Sequence, residues 1–176
     1  IDYGPCAFLD EYNPNKVFSS IDKNGRYAFS NQPKIALWNL ARLAETFLHL
    51  VDSKEEIAIK KIEYILKKNE STYQDNWLEM MKDKIGINDN HEKDNELIKE
   101  LLDLMHIFKL DYTNTFILIK NNTLKKYDFM VDWVSKFNQR KQLNKKMSAK
   151  SINPVIVPRN HIVEKLLNES ASGNFK

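Results

Sequence analysis

Three residues near the start of the sequence, Asp2-Tyr3-Gly4, are of types that could do chemistry together. The carboxylate is a hard oxygen donor of the type a divalent cation takes. An aspartate close to a glycine is also ordinary turn chemistry, so the tripeptide alone leaves both readings open.

A second acidic candidate is Asp89 with Glu100, at positions 1 and 12 of a helix–loop–helix calcium pattern. Positions 3, 5 and 6 hold His91, Lys93 and Asp94 in place of oxygen ligands and a glycine, and a lysine ammonium repels a cation. A solvated connector is expected there. The histidines, His49, His91, His106 and His161, are scattered, and none has a second His or Cys at zinc-ligand spacing. No Gly-x-x-x-x-Gly-Lys loop or Gly-x-Ser-x-Gly elbow occurs, and Cys6 has no recognisable local partner for nucleophilic use.

Composition narrows the classes further. The 176 residues suit one compact domain, and a single cysteine excludes an internal disulfide framework and favours a reducing, cytoplasmic setting. A balance of 27 Lys+Arg against 24 Asp+Glu argues for neither nucleic acid nor membrane as partner. No run approaches the roughly 20 apolar residues of a membrane span.

The elements that must position these residues divide at Pro33. Residues 1–32 carry Gly4, Gly25, Pro5, Pro14 and runs of Asn, Asp and Ser, which predict irregular loops, with Asn24-Gly25 as a tight-turn signal for a short hairpin between Val17-Phe18 and Tyr27-Phe29. Residues 33–176 read as helical. A first helix over 33–51 is apolar nearly all round and is expected at the structural centre. Apolar spacing of three and four predicts helices near 54–69, 71–85, 93–109 and 126–144, with shorter ones starting near Tyr112 and Arg159. The predicted class is mainly α.

Several islands then join the tripeptide. Asp2 to Pro5, Phe8 to Asp10, Gly25 to Ala28, Gln32 to Leu43, "DYTNTF" at 111–116 and "INPVIVPRNHIVEKLL" at 152–167 follow one another in order. Together they resemble the selenoprotein O family, SelO or bacterial YdiU, which typically carries Asp-Tyr-Gly-Pro-Phe, Gly-Arg-Tyr-Ala and Gln-Pro-x-Ile-x-x-Trp-Asn-Leu-x-Arg-Leu. Cys6 departs from that pattern, standing where phenylalanine is usual, and is expected to pack as a small apolar group. Arg26 is expected to be an exposed arginine after a turn, with a phosphate-facing role as the alternative.

The resemblance implies a protein-kinase-like large lobe plus a family-specific helical extension, with residues 1–32 as a metal-binding, activation-segment-like loop. It implies AMP transfer from ATP to hydroxyl side chains of proteins, with Mg²⁺ or Mn²⁺. Asp-Tyr-Gly would correspond to the kinase Asp-Phe-Gly, making Asp2 the metal and nucleotide-cofactor ligand. The family's glycine-rich loop, lysine–glutamate pair, catalytic aspartate and metal-binding asparagine precede that motif, so the chain is expected to be a C-terminal portion. No catalytic residue is then expected within it, and it should be inactive alone and prone to self-association. The alternative is a non-catalytic helical protein-interaction module.

Overall fold

The computed structural model describes residues 9–143 and 152–174. These fall into two compact units, one formed by residues 14–81 and the other by 9–13, 82–143 and 152–174. Helix dominates, and among the described residues no strand forms, while Glu11 and Asp111 meet in an isolated antiparallel bridge.

In the first unit the predicted hairpin is absent. Asn24-Gly25 does turn, with Gly25 at φ +64°, a left-handed conformation that suits glycine. The Asp22 carboxylate then accepts from the Arg26 and Tyr27 backbone N–H groups, both at 2.8 Å, so a side chain takes the donors a strand ladder would have used. The ends of the loop meet through Phe29 N–H to the Lys16 carbonyl at 3.0 Å and Ser30 N–H to the Pro14 carbonyl at 2.8 Å.

Helix α1 spans Gln32–Thr46, with Pro33 in the opening turn where its missing N–H costs nothing. The expected single helix over 33–51 is interrupted at Phe47, whose ψ of 1° leaves the helical range, and α2 follows at Leu48–Val51. None of the residues of α1 is buried, and Trp38, Leu40 and Leu43 are exposed. The expectation that α1 is the buried centre is therefore corrected. An apolar circumference records what a helix can bury, whereas burial also needs a surface to cover it.

Helix α3 runs unbroken over Glu55–Ile85 where two helices were expected. The polar run at its middle holds no glycine or proline, and the Ser71 and Thr72 hydroxyls both donate to the Lys68 carbonyl at 2.9 Å, so the helix absorbs them.

The second unit contains α4 (Asp94–Ile107), α5 (Tyr112–Lys120), α6 (Val131–Leu143) and α7 (Asn160–Ala171), with two 3-10 turns at Leu124–Lys126 and Asp128–Met130. Its core is built by helical spacing: Leu97, Ile98, Leu101 and Met105 of α4, Phe116 and Ile119 of α5, and Trp133 and Phe137 of α6 are all buried. Trp133 stacks on Phe137 at 5.1 Å between ring centroids and donates its indole N–H to the Leu97 carbonyl at 2.9 Å. Trp133→Phe keeps most of the buried area but removes that donor, and is expected to cost about 1–2 kcal/mol, read as a lower denaturant midpoint. An unchanged midpoint would mean the hydrogen bond contributes nothing net.

Candidate functional site

The chain that follows the Asp2 motif enters the second unit at residues 9–13 and is fixed there. Tyr12 N–H donates to the Leu110 carbonyl at 2.8 Å and Tyr112 N–H to the Asp10 carbonyl at 2.7 Å, flanking the Glu11–Asp111 bridge. The Tyr12 ring lies against Tyr112 with centroids 5.7 Å apart and meets His106 edge-on at 6.5 Å. Burial, and then the nearby Asp103 carboxylate, raise the Tyr12 phenol above its ordinary range.

Arg159, at the start of α7, closes this arrangement. Its Nη1 contacts the Asp10 carboxylate and lies 2.6 Å from Oδ2 of Asp111. The other oxygen of Asp111 caps α5 by accepting from Asn114 N–H at 2.7 Å. Because both carboxylates touch one nitrogen, their oxygens stand no more than about 5 Å apart. Unscreened by a cation, two such charges would repel by about 1–3 kcal/mol across the dielectric range from water to a protein surface. Hydrogen bonding to Asp111, the largest influence, raises the Arg159 pKa above its ordinary value.

A second cation lies deeper. Arg140, 6% exposed, donates through Nε at 2.6 Å to Asp94, itself 2% exposed, and through Nη2 at 2.7 Å to Asp89. Lys136 pairs with Glu100 at 2.6 Å. The acidic residues of the calcium-like pattern are thus engaged by guanidinium and ammonium groups. Among the described residues no group of three or more His, Cys, Asp or Glu is placed to hold a metal.

Asp2 and Cys6 lie outside the described residues. Arg26 is exposed, with its guanidinium carbon 4.7 Å from the centre of the Trp38 ring. That contact is a cation–π stack, formed as the Asp22 turn presents the side chain to α1. Nothing local in the sequence marks Arg159, Asp10 and Asp111 as a set. The signal was present, since each falls in a different one of the islands read as family-like, and the fold brings those islands together.

A sequence model of the family described as protein adenylyltransferase SelO matches residues 1–142. The chain belongs to the SelO/YdiU family. Among individual relatives, a protein nucleotidyltransferase YdiU of Pelagibacter ubique is 43% identical over an alignment covering 99% of this chain and 38% of that protein. The counterparts so named from Bacillus cytotoxicus and Clostridium botulinum are each 44% identical, over 95% of the chain and 36% of their own length. The chain thus spans little more than a third of the SelO/YdiU relatives it matches. The family match takes in Asp2, Asp10 and Asp111, and the alignment with the Pelagibacter ubique protein extends over Arg159 as well. No helix among the described residues is long and apolar enough to cross a membrane.

Proposed function

We propose that this chain is the C-terminal part of a cytoplasmic protein adenylyltransferase that moves AMP from ATP to Ser, Thr or Tyr hydroxyls of other proteins. The observation that carries the reading is the family match running from residue 1, through the Asp2-Tyr3-Gly4 motif, to residue 142. The relatives' name, protein nucleotidyltransferase, agrees with it. In such a transfer the acceptor oxygen bonds to the α-phosphorus and pyrophosphate leaves. The helical body corresponds on this reading to a kinase-like large lobe with an added helical extension, and residues 1–32 to its metal-binding loop.

A hard divalent ion, Mg²⁺ or Mn²⁺, requires oxygen donors, and the Asp2 carboxylate is of that type. It supplies one ligand, and the described residues gather no further set. When bound, the ion would offset charge building on the phosphate oxygens. This chain's own contribution is to fix the segment beyond Asp2 through Tyr12, Tyr112 and the Arg159 clamp. The remaining nucleotide and catalytic groups belong, on this proposal, to polypeptide outside these residues.

With one metal donor and no glycine-rich phosphate loop, the 176 residues alone are expected to transfer no label from α-labelled ATP to protein, and the intact parent is expected to do so. Exposed Trp38 and Leu43 of α1, Leu50 of α2 and Phe47 between them favour self-association of the isolated chain, seen as a concentration-dependent sedimentation coefficient. Those apolar side chains also support the second reading, a non-catalytic interaction module. Label transfer by the intact parent would exclude it, and transfer by the isolated chain would contradict the first reading.

A further inference from the structure

We infer that Arg26, Tyr27, Trp38 and Arg42 form a docking surface for acidic segments of the acceptor protein; that the partner is a protein rests on the adenylyltransferase reading. Trp38 and Arg42 stand four positions apart on α1 and so share a face, and the Gly25 turn brings Arg26 to the same indole ring. The guanidinium carbons of Arg26 and Arg42 lie 4.7 Å and 5.6 Å from the centre of that ring, and that of Arg26 also lies 5.8 Å from the centre of the Tyr27 ring. The two cations are thus no more than about 10 Å apart, roughly one Debye length at 0.1 M salt, so an anion approaching one is drawn by both.

A guanidinium stacked through its face keeps its N–H donors in the plane, where they form the fork that a carboxylate matches. Among the described residues no carboxylate pairs with the Arg26 guanidinium, because the Asp22 carboxylate already accepts from the backbone N–H groups of Arg26 and Tyr27. Arg42 pairs with Glu45 at 2.5 Å, but both are 52% exposed, and an ion pair so open to water is readily exchanged for another carboxylate. Residues 14–46 hold Lys16, Lys23 and Lys34 besides these arginines, against Asp22 and Glu45, and that excess of three equals the whole net charge of +3. The charge is too small for a nucleic acid, whose binding draws on about 6–10 phosphate contacts, and suits a short acidic peptide. Tyr27 and Trp38 are 45% and 48% exposed, and tryptophan, tyrosine and arginine are the residue types that dominate binding energy at protein interfaces.

The test uses the intact parent protein and two fluorescein-labelled peptides, which differ only in whether glutamates or glutamines flank a single serine, with binding read by fluorescence anisotropy. The acidic peptide is expected to bind about tenfold more tightly in about 0.05 M salt, with the preference shrinking at about 0.5 M as the charges are screened. Arg26→Ala with Arg42→Ala should remove that preference and leave the weaker binding of the glutamine peptide unchanged. Arg26→Lys with Arg42→Lys should retain part of it, because the charge stays while the planar fork is lost. Both double variants should melt close to wild type, since these side chains are exposed. With α-labelled ATP, the alanine pair should raise KM for the acidic peptide about tenfold and change kcat less. Equal binding of the two peptides, or a preference that survives in the alanine pair, would overturn the inference. So would tighter binding of a single-stranded oligonucleotide or of anionic lipid vesicles than of the acidic peptide. Preferential binding of the acidic peptide with no label transferred would leave the surface standing and contradict the adenylyltransferase reading alone.

Discussion

Asp2→Ala in the intact parent protein is expected to lower metal-dependent AMP transfer at least about 100-fold, equivalent to about 2.7 kcal/mol of transition-state stabilisation. On the proposed reading of Asp2 as metal ligand, the magnitude follows from removing a charged oxygen donor from a hard divalent ion that must sit on nucleotide phosphates. Asp2→Asn should be nearly as deficient, because the amide keeps the shape but loses the charge. The melting temperature should be close to wild type, since the buried residues of α4, α5 and α6 supply the core of their unit. A metal titration of transfer rate alongside thermal melting measures both. Retained turnover would show that another group holds the ion.

Arg140→Ala should give the largest loss of stability. The substitution leaves Asp94, 2% exposed, as an uncompensated buried charge, together with a cavity at the end of α6. Breaking a buried pair from one side costs about 3–5 kcal/mol, which for a chain of this size lowers the melting temperature by roughly 6–20 °C. Replacing both partners, as Asp94→Leu with Arg140→Met, should recover much of that loss, because desolvation of the two charges is then avoided. A double variant no more stable than Arg140→Ala would mean the pair contributes through geometry that apolar residues cannot supply.

The helical class was legible because apolar spacing of three and four is a local property of the chain. Helices α4, α5 and α7 appear close to where that spacing places them. The junction inside α3 was not legible, since a polar run such as Asn69-Glu70-Ser71-Thr72 looks like a break until its hydroxyls are seen bonding within the helix. The exposure of α1 was hidden for the opposite reason: its sequence states hydrophobicity, and what covers a helix is not a property of the helix. Arg140 could have been found by extending the α6 stripe of Trp133 and Phe137 three positions further, which puts a cation on the core face and demands a buried acid. Asp2 drew its meaning from a motif, whereas the Arg159 clamp needed the fold, because its three members meet only after residues 9–12, α5 and α7 have come together.

The most direct test of the account is the mass of an acceptor protein after incubation with the intact parent, ATP and Mg²⁺ or Mn²⁺. An adenylyl group is expected on a hydroxyl side chain, absent when Asp2 is replaced by alanine. A phosphoryl group in its place, or an adenylyl group that persists at full yield in the Asp2→Ala protein, would contradict it.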